Sequence, residues 1–526
     1  MTNTIDFAAI EKIFKEAAHD SLLEHEVYAV LQAMEISTPR FRFLPKGQAI
    51  QDSDLDYFNS SELVLKIVSP QIQHKTDVGG VRFVEKEAAV VNRAITEMIR
   101  NISESLEASI QGTLLLETIS YEKVGFGSEL LLGLQNSREF GPVVTIGTGG
   151  TEVEFLNAKL KEGTALAISS AHLLPLESIG KVLKPLAFYD KLTTDFRGRP
   201  ALLDVGILED MYSRFLQLGV HFSPLSAESE FVIEEMEVNP FVVYQNRLYP
   251  LDGLCRISRN HLERRKAPAE QIGHILVPDS IGIIGVSEKM NIGHIILNNI
   301  LKQGFAREKV FVVKPGQEEI EGCRCVPGVQ DLPETVDLFV LTVSAEQCLQ
   351  VMQEIMDSEK ARSVIIIAGG MGEKEGTQDI ERSIRELLTA RRKAGRMVPV
   401  VTGGNSMGIF SAPGKYDTTF VPEFKIFALP RKDIMRPGLV YLSQSGAFMV
   451  SRMSQLPGLA PQYGVSIGNQ IDLTISDYLR YLKNDPEARI FALYIEGFLP
   501  GDGLSLAEAA QEITSQEGKA VVVYKA

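Results

Sequence analysis

The sequence predicts a multidomain α/β protein, and three observations carry that prediction. The chain has 526 residues, several times the roughly 100–200 that one domain usually holds. Short apolar runs recur with helical stretches between them, the signature of strands covered on both faces by helices. The pattern changes at the charged stretch HLERRKAPAEQ and again at the proline-rich stretch SAPGKYDTTFVPEFKIFALPRKDIMRPG, which divides the chain into segments 1–262, 270–430 and 435–526.

The first segment opens with an acidic amphipathic helix and then mixes helical periods with the strands ELVLKIVS, TLLLET, ELLLGL, GPVVTIG and EEMEVNPFVVY, an α+β pattern. In the second, DSIGIIGVS, KVFVVKP, VDLFVLTV, ARSVIIIAGG and PVVTGGN alternate with helices, as in a doubly wound parallel sheet. GLVYLSQSG, ARIFALYIEG and AVVVYKA repeat the rhythm in the third. The chain stops straight after that last apolar run, which is expected to be a buried strand. An interrupted sheet leaves an unpaired edge, so the sequence is expected to be a fragment of a longer protein.

Composition narrows the class of function. A net charge of −15 gives no whole-molecule attraction to nucleic acid or anionic lipid, so anionic ligands must be held by local sites. The short basic clusters HLERRK and ARRKAGR read as solvated helix faces. Four cysteines at irregular spacing fit neither a disulfide framework nor a zinc site and suit a reducing, cytoplasmic setting. The N-terminus lacks the basic and apolar regions of a secretion signal, and no run approaches the ~18 apolar residues of a membrane span.

Several residues carry candidate chemistry. Lys66 lies on the apolar strand ELVLKIV, where an inward ammonium needs an anion such as a nucleotide phosphate, unless the strand is an edge and the lysine faces water. Glu237 and Asn239 are two apart on a strand and share a face, with Asp252 expected one hairpin away on the next strand. Hard oxygen ligands on neighbouring strands suit Mg2+ bridging phosphates; solvated strand acids are the plain alternative. Glu117 and Glu129, at strand ends between them, are placed to accept hydrogen bonds from an adenine amine and ribose hydroxyls. In IGIIGVSEKMNIGHIILNNILKQGF, Gly285, Ser287 and Gly293 sit between a strand and a helix, where backbone N–H groups can approach a phosphate. A merely tight connection reads the same way. Ser443, Ser445 and Gly446 in YLSQSGAFMVSRM likewise precede a helix whose positive end suits a phosphate, or simply cap it.

These motifs together resemble the NDP-forming acyl-CoA synthetases of the succinyl-CoA synthetase superfamily, acetate–CoA ligase type. The resemblance runs through LLEHEVYAVLQAMEI, VLKIVSPQIQHKTDVGGV, GSELLLGLQNSREFGPVVTIGTGGTEVEFL and EVNPFVVYQNRLYPLDG, then through VKPG, AGGMGEKEG, TGGNSMGIF and VSIGNQIDLTISDYLRYLKNDPEARIFALYIEG. It implies an ATP-grasp domain, a Rossmann-like CoA-binding domain and a truncated flavodoxin-like ligase domain. Lys66 is then a ligand of ATP or GTP phosphates, Glu117 and Glu129 are adenosine contacts, and Asn239 and Asp252, supported by Glu237, hold Mg2+. Lys314 and Asn405 join the CoA loops, although the family usually has a proline where this chain has Gly404. His74 in HKTDVGG matches a histidine proposed to carry a phosphoryl group, against the plain reading of a solvated loop residue. Glu496 matches a glutamate that orients a phosphohistidine.

Family members continue into a histidine-bearing loop, and all eight histidines of this chain precede the third segment. The resemblance therefore implies a chain that binds ATP·Mg and CoA without sustained turnover of a carboxylic acid or acyl-CoA. It also implies assembly as a homo-oligomer or with a partner chain supplying the missing segment. A non-catalytic protein that senses CoA and nucleotide is the alternative from another class. An NAD(P)-dependent dehydrogenase lacks its full G-x-G-x-x-G fingerprint here.

Overall fold

The computed structural model describes residues 5–72, 75–121, 127–150, 159–161, 163–195, 198–263, 267–371, 378–421, 435–456 and 458–526. The chain divides into two compact units, Met1–Glu263 and Arg264–Ala526.

The first unit begins with α1 (Phe7–Glu16) and α2 (Glu24–Ala33). The Asp6 carboxylate caps α1 by accepting from the Ala9 N–H at 2.9 Å, and the helix turns Ile10 and Phe14 inward. A four-stranded antiparallel sheet follows, made of β1 (Phe41–Pro45), β2 (Glu62–Val68), β3 (Val81–Glu85) and β4 (Gly112–Glu117) in the order β1-β4-β2-β3. Helix α3 (Ala88–Ser105) buries Val91 and Met98 in one core with Leu63 and Leu65 of β2.

The second sheet of this unit contains β5 (Glu129–Ser137), β6 (Gly141–Thr148), β7 (Leu166–Ser170), β8 (Val232–Tyr244), β9 (Arg247–Pro250) and β10 (Leu254–Ser258). Its order is β10-β8-β5-β6-β7, and β9 also pairs with β8. Helix α4 (Val205–His221) seats Leu208, Tyr212 and Phe215 in a core shared with Leu132, Leu134 and Val144.

The second unit holds two sheets. The first has β11 (Ile281–Ile284), β12 (Val310–Val313), β13 (Glu319–Ile320), β14 (Cys323–Val326), β15 (Val336–Leu341), β16 (Ala361–Ile366) and β17 (Val400–Thr402) in the order β13-β14-β12-β11-β15-β16-β17. All its pairings are parallel except that of β13 with β14. Helices α5 (Ile292–Lys302), α6 (Ala345–Ser358) and α7 (Gln378–Lys393) connect the strands. Every residue of β12 is buried, as covering on both faces requires.

The other sheet orders β18 (Ile409–Ser411), β19 (Tyr416–Asp417), β20 (Leu439–Ser443), β21 (Tyr463–Ser466), β22 (Ile490–Ile495) and β23 (Ala520–Lys525) as β19-β18-β21-β20-β22-β23. Helices α8 (Gly446–Gln455), α9 (Ile475–Leu482) and α10 (Asp502–Thr514) accompany it. Strand β18 ends at the first residue of the proline-rich stretch and β19 lies within it, yet they belong to this sheet because β18 pairs with β21 and β19 with β18.

The sequence expectation of a buried last strand is corrected. β23 is paired with β22 alone, and Val522, Val523 and Tyr524 are 59%, 49% and 60% exposed. Apolar composition set that expectation, whereas exposure is set by the absence of a neighbour on the far side among the described residues. No helix of the described residues is long and apolar enough to cross a membrane.

Candidate nucleotide and CoA sites

Lys66 is on an inner strand, since β2 is hydrogen-bonded to β3 on one side and to β4 on the other. This removes the edge-strand alternative. The side chain is buried, so its ammonium needs protein anions: it donates to Glu24 Oε1 at 2.6 Å and to the Leu251 carbonyl.

Asp252 is not on a strand, as the sequence suggests, but in the link between β9 and β10. Both strands pair with β8, β9 through Pro250 opposite Phe241 and β10 through Leu254 opposite Glu237. With β5 on the other edge of β8, both strands lie along the same edge, so the link runs past β8 beside Asn239, and a single cavity of about 870 Å³ is lined by Lys66, Glu117, Glu129, Asn239 and Asp252. Glu237 lines a smaller hollow of about 260 Å³ together with Asn239 and Asp252.

Two residues of this cleft escaped the sequence reading. Glu24, on the first turn of α2, is 4% exposed and turns Oε2 to the Lys75 ammonium at 2.9 Å. Lys75 in turn reaches Asp252 Oδ1 at 3.0 Å, and the Tyr28 hydroxyl donates to Glu24 Oε1 at 2.8 Å. Burial pushes the Glu24 carboxyl up, but Lys66 and Lys75 outweigh it and hold the carboxyl at about 2, ionised throughout the neutral range. Burial and the neighbouring Glu24 charge raise the Asp252 carboxyl above its usual range, against the pull of Lys66 and Lys75.

The remaining predicted contacts are partly engaged by the protein itself. Glu117 Oε1 accepts from the backbone N–H groups of Asn59 and Ser60 at 2.6 and 3.2 Å. Glu129 Oε1 accepts from the Tyr121 hydroxyl at 2.6 Å. Asn239 Oδ1 accepts from the Gly150 N–H at 2.9 Å, and its amide donates to Glu237 Oε1 at 3.4 Å. Among the described residues no three His, Cys, Asp or Glu side chains gather as a metal centre. The set that does converge is two carboxylates and an amide oxygen, which fits a hard cation completing its shell with phosphate and water. His74 lies outside the described residues.

In the second unit, Gly285 follows β11 with φ +92°, and a Cβ there would stand 2.5 Å from Thr342 Oγ1 and 2.8 Å from the Thr342 carbonyl oxygen. A Cβ on Gly293 would lie 2.7 Å from the Gly285 carbonyl oxygen. Both glycines thus allow the loop to close on β15's end. Asn291 caps α5 by accepting from His294 N–H at 3.0 Å and also from Ser287 N–H at 3.2 Å. Lys314 follows β12 and is half-buried. Asn405, at φ +55°, donates its N–H to Ala368 O at 3.0 Å at the end of the neighbouring strand region. At Gly404, a Cβ would meet Met371 Sδ at 2.7 Å, so Met371 fills the space a proline ring would need. These loops all leave the C-terminal ends of parallel strands, where open α/β sheets bind ligands.

At β20 the Ser443 hydroxyl donates to the Ser445 carbonyl at 2.7 Å, and Ser445 caps α8 by accepting from Phe448 N–H at 3.3 Å. Gly446 is required by close approach, because a Cβ would lie 2.0 Å from Met407 Cγ. Glu496 is exposed just beyond β22, the parallel neighbour of β20. Gln444 ties the two strand ends together: its Oε1 accepts from the Glu496 and Gly497 N–H groups, and its Nε2 donates to the Gly497 carbonyl at 2.6 Å.

Residues 14–257 match an ATP-grasp domain, residues 279–408 a CoA binding domain, and residues 437–526 a succinyl-CoA ligase like flavodoxin domain. Acetate–CoA ligase [ADP-forming] II of Archaeoglobus fulgidus is 26% identical over 512 residues, which are 96% of this chain and 67% of that protein. The alpha subunit of acetate–CoA ligase [ADP-forming] I of Pyrococcus furiosus is 31% identical over 47% of this chain and 51% of that subunit. The beta subunit of the same enzyme is 25% identical over 45% of this chain and 92% of its own length. A solved acetyl-coenzyme A synthetase of Ca. Korarchaeum cryptofilum, in complex with phosphate and ADP, is 29% identical with a TM-score of 0.42, over 48% of this chain and 51% of that one. The chain spans about two thirds of the first relative and about half of the alpha subunit. The chain thus carries an ATP-grasp domain, a CoA binding domain and a succinyl-CoA ligase like flavodoxin domain in succession, and it is similar over 96% of its length to an ADP-forming acetate–CoA ligase.

Proposed function

We propose that the chain carries the nucleotide- and CoA-binding parts of an acyl-CoA synthetase that converts a carboxylic acid, ATP (or GTP) and CoA into acyl-CoA, nucleoside diphosphate and phosphate. The observation that carries this reading is the shared cavity of Lys66, Asn239 and Asp252. A carboxylate is a poor acceptor for a thiolate, so it is first activated: its oxygen takes the phosphoryl group, and the CoA thiolate then attacks the acyl carbon and expels phosphate. Lys66 faces the negative charge of the phosphates, and Glu117 and Glu129 orient the adenosine. Mg2+ held by Asn239 and Asp252, with Glu237 beside them, would neutralise phosphate charge.

The loops at Gly285, Ser287, Gly293, Lys314 and Asn405 take CoA. The N-terminus of α8 at Ser443, Ser445 and Gly446 receives a phosphate, and Glu496, its backbone fixed by Gln444, orients a phosphohistidine imidazole. His74 is the chain's own phosphoryl carrier. Because a two-subunit enzyme stands among the relatives, a partner chain is the expected source of the remaining part of the reaction.

Calorimetric titration tests the reading. ATP is expected to bind at least tenfold tighter with Mg2+ than without, and Asn239→Ala or Asp252→Ala is expected to abolish that difference. Metal-independent binding that neither substitution changes would contradict it.

A further inference from the structure

We propose that Glu24 is a positioning residue for the nucleotide phosphates, holding Lys66 and Lys75 side by side on the cavity wall so that Lys75 acts as a second phosphate ligand. The inference rests on the nucleotide reading of the cleft and deepens it.

The geometry is specific. One buried carboxylate spans two ammonium groups, Oε1 to Lys66 at 2.6 Å and Oε2 to Lys75 at 2.9 Å. Both lysines line the 870 Å³ cavity together with Asp252 and Asn239. Two ammonium groups this close repel each other unless an anion lies between them, and a carboxylate with two oxygens is the smallest side chain that can serve both. The Tyr28 hydroxyl, donating to Oε1 at 2.8 Å, fixes its orientation.

The charged groups facing one another are Glu24, Asp252, Lys66 and Lys75. Two negative and two positive charges balance, so the arrangement is stable without ligand and yet presents both cations to the cavity. A polyphosphate carries more charge than one ammonium can offset, and a pair held at fixed separation is organised in advance for it. In the sequence, Lys75 directly follows His74, the proposed phosphoryl carrier, in HKTDVGG.

A merely structural Glu24 and a positioning Glu24 differ in one readout, the ratio of the adenosine Kd to the MgATP Kd, which isolates the affinity due to phosphates. Glu24→Gln retains the shape but loses the charge and one acceptor oxygen, so that one lysine is left with its other partner alone, the Leu251 carbonyl for Lys66 or Asp252 for Lys75, and shifts toward it. The ratio is expected to fall at least tenfold in Glu24→Gln with adenosine affinity unchanged, and Glu24→Asp is expected to recover part of it. Lys75→Met, which leaves the Glu24–Lys66 pair intact, is expected to lower the ratio similarly and decides the matter should Glu24→Gln not fold. A ratio unchanged in Lys75→Met, or in a folded Glu24→Gln with a lowered melting temperature, overturns the proposal while the nucleotide reading stands. Failure of the unaltered chain to bind MgATP overturns both.

Discussion

Lys66→Met is expected to weaken MgATP binding by at least 100-fold while adenosine and CoA affinities stay within twofold of the original. Methionine keeps most of the lysine stem, so the packing of β2 between β3 and β4 survives. What disappears is the ammonium, buried at 8% exposure in a site where low dielectric makes each charge count for more than in water. Breaking a buried ion pair costs about 3–5 kcal/mol when the partner is left alone. Here Glu24 keeps Lys75 at 2.9 Å, so the loss of stability should fall toward the lower end of that range. Calorimetry with MgATP, adenosine and CoA, alongside a thermal melt, separates lost phosphate recognition from lost folding. Equal weakening for adenosine and MgATP would mean that Lys66 supports the fold and not the phosphates.

Gly285→Ala is expected to reduce CoA affinity at least tenfold and leave MgATP affinity unchanged. Its φ of +92° already disfavours any side chain, and the added Cβ would lie 2.8 Å from the Thr342 backbone oxygen, which cannot rotate away. The loop from Gly285 to Gly293 must shift, and with it the helix terminus that is proposed to face CoA. Overpacking of this kind costs roughly 1–3 kcal/mol. Gly304→Ala is the control: φ is +98° and nothing lies within 4 Å, so it carries the backbone penalty without the collision. CoA titration and thermal melts of both variants are expected to show a similar backbone penalty in each and a CoA defect only in the first. A CoA defect of equal size in Gly304→Ala would trace the effect to general destabilisation of the unit.

The strands of the parallel sheet were legible in the sequence because burial on both faces makes every residue apolar, as in VFVV at Val310–Val313. The same cue misled at β23, because a run of valines reports what a strand prefers and not which neighbours it has. The cleft was legible where motifs are compact, as in EVNP, and illegible where it depends on distant chain segments. Glu24 accepts from a lysine 42 residues away in sequence, and that lysine donates to a carbonyl 185 residues beyond. On the first turn of an amphipathic helix a glutamate reads as solvated and favoured by the helix dipole. Only the packing of α2 against β2 and the Asp252 link makes it a buried counter-ion. Lys75 stands in a motif, HKTDVGG, whose histidine is the more reactive residue. The hairpin rhythm around Asp252 suggests a strand; the passage from β9 to β10 along one edge of β8 puts it in a link instead, and that link brings it beside Asn239.

The central claim is that a metal-bound nucleotide occupies the cleft between Lys66 and the oxygens of Asn239 and Asp252. The most direct measurement is a crystal structure of the chain with Mn2+ and ADP, located by anomalous scattering of the metal. The account predicts one manganese peak ligated by Asn239 Oδ1 and an Asp252 carboxylate oxygen, with a phosphate at Lys66. A nucleotide bound elsewhere, or a manganese peak remote from both oxygens, would contradict it.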